Sequence, residues 1–317
     1  MKFTKFKKNP YKKIRQRIRV EHLNHLVETN RMSSFIAKCE ENYFKQIKEA
    51  VNEIIKMKTK QIICVAGPTS SGKTTTAENI VKILQANNKN AMIISLDNFL
   101  VPLRKRELLP NGQVDYESFD TIDTELLQEF IGNLFENGYG MMPEYDFVEG
   151  KRKPDLTKVE YTKGTYLVIE GLHAFNPELL SNFEKKIYRI YICPYKDYYY
   201  KKDICLTAKE LRLMRRCVRD CHKRGHSIDK TLELWQQITE SEYLFIKPYR
   251  FSCNYFINSS IDYEICLYVK YLKPLLENVK NEQATWPLYA ALDKLAAIDS
   301  KQIPDNTLLW EFLKKED

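Results

Sequence analysis

The chain has 317 residues, of which 50 are Lys or Arg and 42 are Asp or Glu, giving a net charge of +8. This length suits one large α/β domain with appendages, and no run of eighteen apolar residues predicts a membrane span. The chain does not open on an apolar signal-peptide stretch, and its eight cysteines show no zinc-binding spacing. A reducing, cytoplasmic location is therefore predicted.

The positive charge is concentrated at the N-terminus. Residues 1–19 carry nine Lys or Arg and no acid, which exceeds the net charge of +8, so the rest of the chain is close to neutral. Only this tail could contact a nucleic acid, and we interpret it instead as a solvated tail. Helical spacing from Val20 to Met57 then predicts a basic tail and helical extension over residues 1–58.

The stretch 61–76, QIICVAGPTSSGKTTT, carries the strongest functional pattern. Ile62 to Ala66 is apolar enough for a buried strand, and helical spacing resumes after Gly72. Between them runs G-x-x-x-x-G-K-T, the spacing of a loop whose backbone N–H groups surround nucleotide phosphates. The predicted nucleotide-binding residues are Gly67, Pro68, Thr69, Ser70, Ser71, Gly72, Lys73, Thr74 and Thr75.

The residue types in this loop suit phosphate chemistry. Gly67 and Gly72 are expected to adopt backbone angles that other residues avoid. Lys73 would reach the β- and γ-phosphates, which makes it a predicted catalytic residue, and the Thr74 hydroxyl would ligate Mg²⁺. The N-terminus of the following helix adds a positive dipole end.

Acids follow two further apolar strands. Asp97 comes directly after the run from Ala91 to Leu96, and Glu170 closes the run from Thr165 to Ile169. Ligands of open parallel sheets bind beyond the carboxyl ends of the strands. Asp97 is therefore a catalytic candidate, and Glu170 is expected to organise Mg²⁺ or its waters.

A basic block in a helical stretch ends at Gly225. It contains Arg212, Arg215, Arg216, Arg219, Lys223 and Arg224. Spacings of three, four and seven residues place basic side chains on one helix face. The ordinary interpretation is a solvated face, but phosphoryl transfer requires cations around the migrating charge. We therefore predict a lid helix with Arg212, Arg215 and Arg216 as lid residues, of which Arg212 and Arg216 are predicted to act in catalysis.

The remaining patterns complete the fold prediction. Two more strands are expected at 186–193 and 254–259, a β-hairpin at 143–161 turning at Glu149 and Gly150, and a C-terminal helix at 263–279. The predicted class is α/β, a P-loop kinase with a five-stranded parallel sheet flanked by helices, a hairpin insert and an Arg-rich lid helix. The predicted division places the kinase domain at 59–280 and a helical extension at 281–317.

These motifs resemble the uridine kinase and phosphoribulokinase family of P-loop kinases. The resemblance runs from GPTSSGKTT and SLDNF through DYESFDTIDTEL, EYDFVEGKRKP and YLVIEGLHAFNPEL to RLMRRCVRD. The chain most closely resembles a bacterial branch in which a uridine-kinase-like domain follows a threonyl-tRNA-synthetase-like region. The IPDN tail from Ile303 supports that branch, whereas the synthetase-like region has no counterpart in this sequence.

The resemblance implies roles for individual residues. It makes Asp97 the base for the primary hydroxyl of the substrate and places it with Thr74 and Glu170 at the metal. It puts Glu117 at the ribose hydroxyls and Tyr145 beside the base. It also implies that Arg212 reaches toward substrate and phosphate.

Two positions depart from the animal-type uridine–cytidine kinases. Gly150 stands where those enzymes have a base-reading histidine, and Lys230 stands where they have a glutamine. A site recognises a polar group strongly only when it dedicates partners to it. Transfer of a phosphoryl group is therefore better supported by the sequence than uridine as the acceptor.

Three functions stay open. The leading hypothesis is Mg²⁺-dependent transfer from ATP or GTP to the 5′-hydroxyl of a nucleoside. The second keeps this machinery but takes a sugar phosphate or another small alcohol. The third is a non-catalytic nucleotide-binding regulator whose basic tail contacts RNA. No membrane partner is predicted, and a homo-oligomer is left open.

Overall fold

A computed structural model describes residues 17–57, 59–108, 112, 114–279 and 283–315. Most of the predicted basic tail, and residue 58 at the predicted boundary, lie outside these ranges. The described strands are β1 (Arg17–Arg19), β2 (Ile62–Ala66), β3 (Ala91–Ser95), β4 (Tyr139–Met142), β5 (Tyr145–Asp146), β6 (Lys151–Arg152), β7 (Thr157–Glu160), β8 (Tyr166–Glu170), β9 (Ile187–Cys193), β10 (Asp197–Tyr200), β11 (Asp203–Leu206) and β12 (Tyr255–Asn258). The described α-helices are α1 (Val20–Glu28), α2 (Met32–Lys56), α3 (Lys73–Ala86), α4 (Thr124–Asn137), α5 (Ala208–Lys223), α6 (Ile228–Phe245), α7 (Glu264–Tyr271), α8 (Lys273–Leu276) and α9 (Trp286–Leu292).

Five parallel strands form one sheet, in the order β12-β9-β2-β8-β3. Every residue of β2 and β8 is buried, as expected for strands covered on both faces. The α3 helix packs on β2, β3 and β8. The predicted α/β class and five-stranded sheet are therefore confirmed, with strand bounds within one or two residues of the predicted ones.

The predicted hairpin insert is two nested hairpins rather than one. In the inner pair, β5 is antiparallel to β6, and residues 147–150 form the turn. In the outer pair, β4 is antiparallel to β7. The prediction located the inner turn but missed the outer ladder, whose first strand directly follows Gly138 at the end of α4.

Two compact units make up the chain. The first contains residues 1–46, 193–235 and 256–317, and the second contains residues 47–192 and 236–255. Each unit is therefore built from segments that are separate in sequence. The predicted domain boundaries near residues 58 and 280 stay predictions, since both residues lie outside the described ranges.

In the first unit, β1 is parallel to β10, and β10 is antiparallel to β11. The single C-terminal helix predicted there is instead two helices, α7 and α8, which are separated at Leu272. Pro274 explains the break, because its ring cannot donate a backbone hydrogen bond and crowds the carbonyl four residues earlier. Within the described residues, no helix is both long and apolar enough to span a membrane.

Candidate functional site

The phosphate loop, residues 67–75, follows β2 in the second unit, and its last three residues form the first turn of α3. Gly72 has a φ of +91°, a left-handed conformation that favours glycine. Gly67 is required for a different reason than predicted. A Cβ atom there would lie 2.1 Å from the Ile192 carbonyl oxygen, so the constraint is close packing and not an unusual backbone angle. Ser70 is also left-handed, with a φ of +55°.

The side chains of the loop have contrasting environments. Pro68, Ser70 and Ser71 are buried, Thr69, Lys73 and Thr75 are half-buried, and Thr74 is exposed on the first turn of α3. The Lys73 ammonium donates to the Pro68 carbonyl oxygen at 3.1 Å. Its charged end therefore lies over the loop itself.

A carboxylate also contacts this loop. The backbone N–H of Thr69 donates to Glu242 Oε1 at 2.9 Å, and Glu242 is a buried residue of α6. Sequence reasoning missed Glu242, because the two residues are 173 positions apart and nothing in the pattern of α6 marks the contact.

The two predicted strand-end acids lie beyond neighbouring strands. Glu170 ends β8, where it is paired in register with Ser95 of β3 and Val65 of β2. Its carboxylate is buried, and Ser95 Oγ donates to Glu170 Oε1 at 2.6 Å. Asp97 is exposed on the short 3₁₀ turn Leu96–Phe99 that follows β3. The parallel sheet thus brings Asp97 and Glu170 to the edge from which the phosphate loop emerges.

The two residues implied for the acceptor also belong to the second unit. Glu117 is half-buried, and its backbone is held on both sides by Asp115 Oδ1, which accepts from Glu117 N at 2.9 Å, and by His173, whose Nε2 lies 3.0 Å from Glu117 O. Tyr145 is buried, and its hydroxyl accepts from Arg106 Nη2 at 3.2 Å. Neither His173 nor Arg106 was predicted.

The predicted catalytic arginines belong to the first unit. Arg212 and Arg216 lie on α5, and both are buried. The Arg212 guanidinium lies 5.5 Å from the centre of the Trp235 ring. Arg216 pairs with the buried Asp220 at 3.1 Å, so an acid within α5 already neutralises part of the basic block. A role in catalysis stays a prediction for both residues.

The prediction of a lid role for Arg215 is wrong. Arg215 is fully buried, and its Nε and Nη2 donate to the two carboxylate oxygens of Glu264 at 2.7 and 2.8 Å. Its guanidinium also lies 4.9 Å from the centre of the Phe312 ring. Arg215 is therefore part of the core of the first unit, as a bidentate ion pair removed from solvent.

We expect Arg215→Ala to lower the free energy of unfolding by about 3–5 kcal/mol, because it leaves the Glu264 carboxylate buried without its cation. Urea denaturation would measure the loss. Lys270→Ala is the matched control, since Lys270 forms an exposed ion pair with Asp299 at 2.8 Å and should change stability by less than about 1 kcal/mol. Equal midpoints for the two variants would contradict the structural role of Arg215.

A phosphate loop between a buried strand and a helix, with acids beyond the adjoining parallel strands, defines a P-loop kinase. Residues 62–264, more than half of the chain, match the model of the Phosphoribulokinase / Uridine kinase family. The chain belongs to this family, which confirms the resemblance inferred from its motifs.

Two relatives illustrate the similarity. A uridine kinase of Mycoplasma genitalium is 29% identical over 182 residues, which cover 57% of this chain and 76% of the relative. A uridine kinase of Borrelia duttonii is 27% identical over 222 residues, which cover 69% of this chain and 97% of the relative. The family and these relatives indicate a phosphotransferase.

Similarity to solved structures is more distant. A possible uridine kinase from Bacillus stearothermophilus is 21% identical with a TM-score of 0.39, covering 46% of this chain and 79% of the other. A D-glycerate 3-kinase from Cryptococcus neoformans is 16% identical with a TM-score of 0.47, covering 64% and 88%. At these scores the structural neighbours carry no weight for the function.

Proposed function

We propose that the chain transfers the γ-phosphoryl group of ATP or GTP to the 5′-hydroxyl of a nucleoside. The observation that carries this proposal is the exposed carboxylate of Asp97, which follows β3 at the sheet edge where the phosphate loop begins. An acid in that position can meet an acceptor hydroxyl beside a bound nucleotide.

The donor would bind to the phosphate loop. Backbone N–H groups of residues 67–75 and the N-terminus of α3 would hold the phosphate oxygens. Lys73 would exchange the Pro68 carbonyl for the β- and γ-phosphates, since a phosphate is a far stronger partner for an ammonium than a neutral carbonyl.

The proposed metal ligands fit Mg²⁺ by their chemistry. Thr74 supplies an exposed hydroxyl, whereas Asp97 and Glu170 supply carboxylates, and oxygen is the ligand type that Mg²⁺ prefers. In the part of the chain that the structure describes, no three His, Cys, Asp or Glu residues cluster as ligands. Such a site would depend on the nucleotide phosphates for its remaining ligands, as Mg²⁺ sites in kinases do. Mg²⁺, when bound, would neutralise phosphate charge.

Asp97 would orient the acceptor hydroxyl and accept its proton during transfer. Glu170 is held by Ser95 Oγ, so its carboxylate has a fixed direction from the end of β8. The proposal further assigns Arg212 and Arg216 to the negative charge that develops on the transferred group. Catalysis by this set would rest on positioning and electrostatics.

The proposed acceptor contacts are Glu117 for the ribose hydroxyls and Tyr145 for the base. At the position where animal-type relatives have a base-reading histidine, a side chain would be strained in this chain and would require Leu103 to move. Gly150 has a φ of +63°, and a Cβ atom on it would lie 2.3 Å from Leu103 Cδ1. Lys230 is exposed and pairs with Glu233 at 3.2 Å. Both features support weak discrimination of pyrimidine from purine bases.

We expect uridine and cytidine to be preferred over purine nucleosides by much less than about 10⁴-fold, the scale at which a site with dedicated hydrogen-bond partners rejects analogues. The measurement is kcat/KM for uridine, cytidine, adenosine and guanosine with ATP and with GTP, read as nucleoside diphosphate formed. A pyrimidine preference of about 10⁴-fold would contradict this expectation. Absence of turnover with every nucleoside would overturn the nucleoside proposal.

Glu117→Ala tests the ribose contact. We expect the KM of the acceptor to rise by roughly tenfold or more, because a carboxylate that accepts from two hydroxyls contributes about that much to binding. Discrimination between ribonucleosides and deoxyribonucleosides should fall with it. Glu129→Ala, which removes an exposed glutamate of α4, is the control and should leave both quantities unchanged.

The second candidate acceptor is a sugar phosphate or another small alcohol. Gly150 favours this candidate, because a glycine offers no side chain that could read a base. Turnover of a sugar phosphate that exceeds turnover of all four nucleosides would put this candidate first.

A further inference from the structure

His173 is a buried titratable residue for which the proposed chemistry has no use. It lies three residues after Glu170, in the turn that follows β8, and only 3% of its surface is exposed. Burial lowers its pKa to about 4, so the imidazole is neutral near pH 7. A neutral imidazole carries one proton, and its partner decides which nitrogen holds it.

The partner of His173 is the backbone of Glu117. Nε2 lies 3.0 Å from Glu117 O, and because a carbonyl oxygen can only accept, Nε2 carries the proton and donates. Nδ1 is buried and has no hydrogen-bond partner among the described residues. The bond to Glu117 O joins the ring to a residue 56 positions earlier in the chain, and a backbone interaction with the adjoining Ser118 accompanies it.

Aromatic rings fix the orientation of this imidazole. Phe119 contacts it edge to face with ring centroids 5.6 Å apart, and Phe245 of α6 does so at 5.8 Å. Edge-to-face packing restricts rotation of a buried ring. The Nε2–H group therefore has a preset direction.

Glu117 lies in a segment with little regular structure. Residues 114–121, which we name the acceptor segment, contain one isolated bridge residue and end in the 3₁₀ turn Phe119–Thr121. Within the segment, Asp115 Oδ1 accepts from the N–H groups of Glu117 and Ser118 at 2.9 and 3.0 Å. These bonds shape the segment, whereas the His173 bond ties it to the turn after β8.

We propose that His173 is a positioning residue that holds the acceptor segment, and with it Glu117, at a fixed position relative to the end of β8. The inference rests on the proposed role of Glu117 at the acceptor. His173 binds the carbonyl oxygen of Glu117, and Asp115 binds its backbone N–H. The backbone on both sides of the Glu117 Cα, which carries the carboxylate side chain, is therefore held in place. Because Glu170 lies on the same strand end, the bond also relates the acceptor group to the proposed metal group.

His173→Leu and His173→Gln form the decisive pair of variants. Leu fills the buried space with an apolar side chain but removes the N–H donor, whereas the Gln amide can place an N–H near the position of the original Nε2. With uridine and ATP, we expect Leu to raise the KM of uridine by roughly tenfold, the scale of one lost hydrogen bond, while the KM of ATP stays unchanged. Gln should restore most of the loss. A purely structural role would lower the amount of active enzyme without changing either KM.

Combination with Glu117→Ala tests whether His173 acts through Glu117. In the Glu117→Ala background, His173→Leu should no longer change the KM of uridine, because the group that it positions is gone. Additive effects would overturn the inference. If Glu117→Ala alone has no effect on that KM, the acceptor role in the proposed function fails first.

Hydrogen exchange gives a readout that is independent of turnover. His173→Leu should accelerate amide exchange in residues 114–121 but not in the phosphate loop, and His173→Gln should restore protection. This result would support the positioning role even if no nucleoside were phosphorylated. Unchanged exchange in the acceptor segment of a folded His173→Leu protein would overturn it.

Discussion

Lys73→Ala is expected to lower kcat/KM for phosphoryl transfer by at least about 10³-fold. Lys73 is the proposed cation for the β- and γ-phosphates, and loss of one preorganised donor to developing charge already costs about 10²–10³-fold. The fold should survive, because among the described residues the Lys73 ammonium bonds the Pro68 carbonyl oxygen of its own loop and pairs with no acid. Formation of the nucleoside diphosphate measures the loss, and thermal unfolding checks the fold.

Lys82→Ala is the matched control for this variant. Lys82 is an exposed residue of the same helix, α3, so the change removes an equal charge from the same element without touching the loop. It should leave kcat/KM within about twofold, since exposed charges contribute little. Full turnover by a folded Lys73→Ala protein would end the proposal that this loop serves catalysis.

The sheet and the phosphate loop could be predicted from the sequence because both rest on local patterns. Buried parallel strands are short apolar runs, and β2 and β8 appear within a residue of the predicted bounds. The loop motif fixes its own geometry through Gly72, whose left-handed φ is a local requirement. The strand-end acids followed from the same rule, since parallel strands share one carboxyl edge.

The long-range contacts could not be predicted in this way. Arg215 looked like one member of a cationic helix face, and its partner Glu264 lies 49 positions away, with no local signal that joins them. The carboxylate of Glu242 at the phosphate loop is a similar case. A charge run indicates a helix face, but whether that face is solvated or buried against acids depends on tertiary packing.

His173 is an intermediate case, for which a local signal existed. The resemblance covered IEGLHAFNPEL as a whole, yet only Glu170 was singled out from it. A histidine within an apolar stretch, three residues after a strand-end acid, is a polar group that burial forces to find a partner. The sequence could have marked His173 as bonded, but not that Glu117 accepts the bond.

Asp97→Asn is expected to lower kcat by about 10²-fold or more while nucleotide affinity changes little. The substitution keeps the shape of the side chain and removes its capacity to accept a proton, and general-base catalysis typically contributes 10²–10⁴-fold. Asp97 is exposed after β3, so removal of its charge should leave packing intact. Steady-state turnover at saturating substrates measures kcat, single-turnover phosphoryl transfer isolates the chemical step, and equilibrium titration with ATP measures the affinity.

Asp155→Asn controls for the chemical change itself, because Asp155 is an exposed residue of the insert between β6 and β7. It should leave both quantities unchanged. The split between kcat and affinity decides the role of Asp97. A loss of ATP affinity with unchanged kcat at saturation would assign Asp97 to holding the nucleotide and its metal, since a ligand of the donor acts before the chemical step. A loss of kcat with unchanged ATP affinity would assign Asp97 to the acceptor hydroxyl, because the nucleotide is then bound as tightly as before and only the chemical step is slower.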